Sequence, residues 1–331
     1  MFPKKLILVI LVGLGICFGQ MPFSPLCQAM DYPTRNVDII VPWGPGSNAD
    51  MLARILAPLL DKKFRQPFVV VNKTGAAGIL AHNYVANAKP DGYTILSINS
   101  VYGGLIATRK PGELKFQFDS FVPVIGYAET HVFFHVKKDA PWKNFQEFIE
   151  DARKNPNKLK YASYGNFGLG HIVATDVFKK AGVKVIHIPE KGSGDAMTAL
   201  LGGHVQMATI LGSAGHIAGG TVRALAVCTS KRRPDFPDVP TLAELGYDVV
   251  RPSVVGLALP KGTPKEIVDK LYQGTKEILT QNQEDIKQKF IRLEAIPTLV
   301  GPQDFWEVCK SDKAYIDNIT AQIRKELGVR E

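Results

Sequence analysis

The chain has few of the residue groupings that usually carry chemistry. Its 331 residues include 4 cysteines and 7 histidines. There is no C-x-x-C pair, and the histidines four apart, His131 and His135, fall in a strand-like run. The usual spacings of a zinc or iron–sulfur site are therefore missing, and no metal or other cofactor is expected. Basic residues are not gathered on one face with interleaved aromatics, as a nucleic-acid partner would require. The triplet Lys231-Arg232-Arg233 stands beside a proline-rich turn and reads as a solvated loop. No internal repeat or low-complexity tract is present, and after the first 29 residues no apolar run is long enough to cross a membrane.

What is present begins with a leader. Lys4 and Lys5 precede an apolar run from Leu6 to Phe18, and Cys27-Gln28-Ala29 offers a small-x-small cleavage site. Thirteen apolar residues are too few for a bilayer span of about 20, so residues 1–29 are expected to be a cleaved secretory signal. The residues before Cys17 and Cys27 are Ile16 and Leu26, where a lipoprotein signal would want a small residue. Cleavage lowers 40 basic residues to 38 against 31 acidic ones, a net charge of +7 that weakly favours anionic partners. Cys228 lies in an apolar strand-like run and Cys309 in a helical one; both read as small buried hydrophobes, with a disulfide between them as the alternative.

Strand-like and helix-like segments alternate along the remaining 302 residues, which implies an α/β protein with a mostly parallel sheet and room for two domains. Strands are expected at 37–41, 68–71, 94–98, 132–136, 159–162, 185–188, 205–210, 224–228 and 254–259. Pro58 should bend or shorten the helix after the first strand. Thr263-Pro264-Lys265-Glu266 combines a cap, a first-turn proline and a glutamate three after the cap, and the tail from Pro302 to about Leu327 is largely helical.

Two glycine-rich loops stand out: Val41-Pro42-Trp43-Gly44-Pro45-Gly46-Ser47-Asn48-Ala49-Asp50, and Tyr161 to His171 with the sequence Y-A-S-Y-G-N-F-G-L-G-H. Each follows a strand-like run and opens a helix. A helix N-terminus carries four unpaired N–H groups and a partial positive charge, so such a loop can hold an anion without a dedicated cation. A third turn, Pro189 to Asp195, has the same character. The loop Asn99 to Gly104 follows a strand, at the edge where ligands bind in open α/β sheets.

The string resembles the periplasmic receptors of tripartite tricarboxylate transporters, the TctC or Bug type. The matching segments are V-P-W-G-P-G-S-N-A-D, N-K-T-G-A-A-G from Asn72, K-P-D-G-Y-T from Lys89, the second glycine-rich loop, K-G-S-G-D-A-M-T-A-L-L-G-G-H-V from Lys191, R-A-L-A-V from Arg223 and P-D-V-P-T-L-A-E-L-G from Pro237. The resemblance implies a type II periplasmic binding protein fold, with two α/β lobes joined by hinge strands. The expected boundaries are 30–130 with 252–331 for lobe one and 131–251 for lobe two.

It also implies a monomeric, non-enzymatic receptor that closes on a small carboxylate and delivers it to membrane transporter subunits. Expected ligand-contacting residues are Trp43, Pro45, Gly46, Ser47, Asn48, Ala49, Ser100, Tyr102, Ser163, Tyr164, Asn166, Gly168, Ser193, Gly194 and Asp195. Ser47, Asn48 and Ala49 depart from the family's usual glycine, serine or glycine, and threonine. Glu190 and Asp195 replace a tyrosine and a proline, bringing two carboxylates near the proposed anion site. Asn48, Tyr102, Glu190 and Asp195 are expected to decide the ligand. The other readings are a sensor that presents its closed form to a membrane kinase, and a hydrolase using Ser163. The latter lacks a G-x-S-x-G elbow and a marked acidic partner. His171 reads as a packing or capping residue.

Overall fold

The computed structural model describes residues 31–107 and 113–326; the expected leader lies outside them. β1 (Val37–Val41) is apolar at four of five positions and is covered on both faces. The chain leaves it through the first glycine-rich loop into α1 (Asn48–Phe64), which buries Leu52, Ala53, Leu56, Ala57 and Leu60 at helical spacing. Pro58 does not shorten this helix, which continues for 17 residues. β2 (Phe68–Asn72), α2 (Ile79–Ala86) and β3 (Thr94–Asn99) follow, with β2 and β3 both parallel to β1. After α3 (Gly103–Ala107) comes a strand not expected from the sequence, β4 (Phe121–Thr130). Pro123 and Gly126 in that run read as breakers. Pro123 lies at a register irregularity, and a Cβ at Gly126 would stand 2.6 Å from the Val254 side chain.

Two residues later β5 (Phe133–Lys137) begins the second sheet. α4 (Phe145–Lys154) is capped by Asn144, whose side chain accepts from Glu147 N, and buries Phe145, Phe148, Ile149 and Ala152. Each of the three larger side chains contributes about 1.5–3 kcal/mol by leaving water. β6 (Lys160–Ser163), α5 (Leu169–Lys180), β7 (Ile186–Pro189), α6 (Ser193–Leu201), β8 (Met207–Ile210), α7 (Ala214–Ala218) and β9 (Val222–Val227) complete that unit. The chain then returns through 228–252 to β10 (Ser253–Pro260), α8 (Lys265–Gln281), α9 (Gln283–Ile291), β11 (Ile296–Val300) and α10 (Pro302–Glu326). The α8 cap differs from expectation: Pro264 is the cap residue and makes no side-chain bond, while Thr263 Oγ1 donates to Pro260 O at 2.8 Å.

The strand orders are β11-β4-β10-β3-β1-β2 and β7-β6-β8-β5-β9. Both sheets are mixed rather than mostly parallel. β10 runs antiparallel to β3 and β4, β11 to β4, and β5 to β8 and β9. The returning strand comes from the far lobe and has no helical crossover to turn it parallel, so it enters the first sheet in the opposite sense. Each sheet has its own apolar core. A third link joins the lobes: Ile316, Ile319 and Ile323 of α10 pack with Ile172 of α5, and Tyr315 donates to Asp176 at 2.8 Å. Cys228 and Cys309 are free and buried.

Candidate ligand-binding site

The first loop is shaped from within. Gly46 takes φ +80, a left-handed conformation that glycine adopts without a Cβ penalty. Ser47 caps α1 by accepting from Asp50 N at 3.3 Å. The Asp50 carboxylate turns back to accept from Gly46 N at 2.9 Å, Asn72 Nδ2 at 2.8 Å and Arg54 Nε at 3.0 Å. Burial works against its charge, but the Arg54 bond, followed by those from Gly46 and Asn72, holds the carboxyl below its ordinary range. This helix start therefore already carries one resident anion. Among the described residues, the Asn48 and Ala49 N–H groups have no partner. Asn48 Nδ2 donates to Leu293 O at 2.6 Å, and Trp43 is 36% exposed.

Ser100 and Tyr102, expected beside the ligand, are interior. Ser100 Oγ accepts from Val254 N at 3.1 Å. Tyr102 is 3% exposed, donates to Phe118 O at 2.6 Å and stacks on the Phe118 ring. Their neighbour Val101 packs against the second lobe's core. The same loop approaches the second glycine-rich loop: a Cβ at Gly104 would lie 3.7 Å from Phe167 O.

The second loop is held by two histidines. Ser163 Oγ lies 2.8 Å from His187 Nε2 and also donates to Gly165 O at 3.3 Å. Phe167, at φ +62, donates its N–H to His171 Nδ1 at 3.0 Å. The two imidazoles stack at 3.8 Å and 11°. Burial pushes His171 down to about 4; burial, then its histidine neighbour, pushes His187 down to about 3. Both are neutral near pH 7, so the loop is clamped by imidazole lone pairs and N–H groups. Gly168 caps α5 without a side-chain bond, and the Tyr164 ring packs against it. Gly170 lets α5 press onto β8, since a Cβ there would stand 2.1 Å from Thr209 O. Asn166 is exposed.

Parallel pairing of β6 with β7 brings the third turn alongside, with Ser163 opposite Pro189 and Glu190 N donating to Ser163 O at 2.9 Å. Gly192 starts α6 without a side-chain cap; Gly194 and Asp195 are exposed, and Ser193 is half-buried. Lobe two thus presents two adjoining helix starts without side-chain caps. Among the described residues no hydrogen bond joins the first loop directly to the second or third.

A polar cluster that the sequence did not reveal lies between the lobes. Glu294, 4% exposed, accepts from Ser213 Oγ at 3.2 Å, and that oxygen is 2.6 Å from His135 Nε2. Arg233, expected in a solvated loop, is 1% exposed. It binds Asp235 through two bonds of 2.9 and 2.7 Å and donates to Glu294 O at 2.8 Å. The run Leu211-Gly212-Ser213 has the same glycine–serine signature as the other loops and could have been singled out; Glu294 carries no such signal.

The family model described as "Tripartite tricarboxylate transporter family receptor" matches residues 52–291. The chain belongs to this receptor family. The Cupriavidus necator "UPF0065 protein in gbd 5'region" is 33% identical over 312 residues, covering 91% of this chain and 92% of that protein. An R. palustris protein solved with adipate superposes with a TM-score of 0.78 at 28% identity, covering 88% of this chain and 97% of that one. MatC from Rhodopseudomonas palustris, with bound malate, gives 0.75 at 26% identity, with 87% and 100% covered. The fold is that of TctC-type solute-binding proteins, one of which, from Polaromonas, superposes with a TM-score of 0.73 at 30% identity, covering 88% of this chain and 99% of that one.

Proposed function

We propose that this TctC-family chain is a periplasmic receptor that captures a small carboxylate between its two lobes and delivers it to the membrane subunits of a tripartite transporter. Residues 1–29 serve as a cleaved export signal, and the mature chain acts as a monomer. Lobe one is 30–130 with 252–331; lobe two is 131–251. Closure brings the first loop, through Asn48 and Ala49, toward the helix starts at Gly168 and Ser193, with Tyr164, Asn166 and Gly194 around the ligand.

The observation that carries this reading is the set of helix starts at α1, α5 and α6, each following the C-terminal end of a strand, with the Asn48 and Ala49 N–H groups unpaired at α1 and the cap residues of α5 and α6 making no side-chain bond. Ser47, Pro45 and Gly46 shape the first loop, while Ser100 and Tyr102 support the floor from the core side. Exposed Asp195 sits in the first turn of α6, where it favours a ligand that brings a hydrogen-bond donor as well as a carboxylate. Neutral donors grip an anion and release it when the lobes part, with no buried ion pair to dismantle. Ser163 has a histidine partner but is fully buried, and among the described residues no acidic group bonds that histidine, so binding without turnover is the better reading.

The test is a thermal-shift screen of the mature chain against mono-, di- and tricarboxylates, aromatic acids, amino acids and neutral amides. A ligand at 100 times its Kd adds about 2.7 kcal/mol. Stabilisation by carboxylates alone supports the reading; stabilisation only by neutral or cationic compounds overturns it.

A further inference from the structure

Glu294 stands in the turn between α9 and β11, on the lobe built around the six-stranded sheet. Its carboxyl reaches across to Ser213, which precedes α7 on the other lobe. The main chain there is unfavourable: φ is +56, a left-handed conformation that a residue with a Cβ adopts only when its surroundings enforce it. The neighbouring charges do not pair with the carboxyl. Arg233 spends its guanidinium on Asp235, and its bond to Glu294 goes to the carbonyl oxygen. His131 lies behind Arg233, 3.0 Å from Nη1, with Glu129 3.7 Å beyond it. His135 meets Glu294 only through the Ser213 hydroxyl, which has one proton for two neighbours. A buried carboxyl is thus held across the lobe boundary by Ser213, through its hydroxyl and its backbone, and among the described residues no cation bonds the carboxyl directly.

We propose that the Glu294–Ser213 contact is a proton-controlled latch between the lobes, holding them together more firmly when Glu294 carries a proton. This rests on the hinge reading above. Burial pushes the Glu294 carboxyl up to about 7, against the smaller opposing effects of Ser213 and Arg233. Parting the lobes would return the carboxyl to water and to the ordinary glutamate range of about 4.3. The joined state therefore binds the proton more tightly. Its advantage is complete below the ordinary glutamate value and is lost as pH rises through about 7. Acidification favours joined lobes, and alkaline conditions favour parted ones.

The test places spin labels on Lys62→Cys in α1 and Lys154→Cys in α4, both exposed positions, in the unliganded mature chain. Double electron–electron resonance from pH 5.5 to 8.5 then reads the separation of the lobes. The short-distance population should grow toward acid pH, with the joined-to-parted ratio changing at most tenfold per pH unit and about thirtyfold overall. Glu294→Gln should remove the pH response and keep the lobes joined. Ser213→Ala, which deletes a donor to the ionised carboxyl, should move the midpoint upward in pH.

A wild-type distribution that does not change with pH, or a wild-type response retained in Glu294→Gln, overturns the latch. If Glu294→Gln lacks the native circular-dichroism spectrum, the Ser213→Ala midpoint decides, and an unmoved midpoint overturns the proposal. Adipate and malate at pH 8 separate the two readings. Distances that respond to either acid but not to pH refute the latch and leave the hinge standing. Distances that respond to neither pH nor any acid in the carboxylate screen refute both.

Discussion

The two glycine-rich loops look alike in sequence, yet the folded chain prepares them differently. At the start of α1 the Asp50 carboxylate and the Ser47 hydroxyl already take N–H groups, so the loop reaches the site with part of its positive end spent. At the start of α5 no acidic side chain intervenes; the loop is held instead by two neutral, stacked histidines, one at Ser163 and one at Phe167. A helix N-terminus is thus an anion site only to the extent that its own first turn leaves it unpaired. Lobe two should supply most of the grip on a carboxylate, and lobe one the completing contacts from Asn48 and Ala49.

The largest expected effect sharpens this comparison from the second loop's side. Gly170→Ala would drive a Cβ to 2.1 Å from a backbone oxygen of β8. It should cost about 3 kcal/mol or more in urea unfolding, because backbone cannot move aside as a side chain does. A loss below 1 kcal/mol would mean that α5 is free to shift and the loop is less fixed than described.

Next is the first loop's resident anion. Asp50→Asn should cost about 1–3 kcal/mol by weakening charge-assisted bonds in a buried network. Because the folded carboxyl titrates below its ordinary range, wild-type stability from this group is present above about pH 4 and is lost as pH falls through the folded value. If the variant matches wild type at pH 7, Asp50 is not what sets this loop apart.

The histidine clamp gives a pH effect of its own. With folded values near 4 and 3, below the ordinary histidine value of about 6.5, the unfolded chain takes up protons first as pH falls. Stability should therefore drop from about pH 6.5 downward, and His187→Gln should remove about 1–2 kcal/mol of the loss between pH 7 and 5. Equal pH profiles would show that the pair titrates normally. The smallest effect belongs to Ser163→Ala, about 0.5–1.5 kcal/mol in stability and a similar loss in carboxylate affinity, since its hydroxyl already serves His187. Calorimetric titration with the best acid from the screen checks it, and unchanged affinity would remove Ser163 from the site.

Much of this was legible in the residues themselves. Strands with mostly apolar runs, such as Val37–Val41, and helices with apolar stripes, such as Phe145–Lys154, announce their type through local periodicity. The segments that escaped reading depend on distant partners. β4 contains Pro123, which lies at a register irregularity opposite β10 and beyond the β11 pairing, and Gly126, which is flanked by β10 and β11. Tyr102 reads as a loop aromatic, yet Phe118 O captures its hydroxyl and Phe118, His82 and Phe121 enclose its ring. Arg233 reads as one of three solvated basic residues until Asp235, His131 and Glu294 gather round it.

The sequence by itself determined the α/β class, the glycine-rich helix starts and the family, because these follow from local periodicity, turn chemistry and the order of short motifs. The tertiary structure alone decided which donors remain unspent, which charges are buried and which residues meet across the lobes. Those properties depend on desolvation and on neighbours far apart in the chain: Asn48 with Leu293, Ser213 with Glu294, Ser163 with His187.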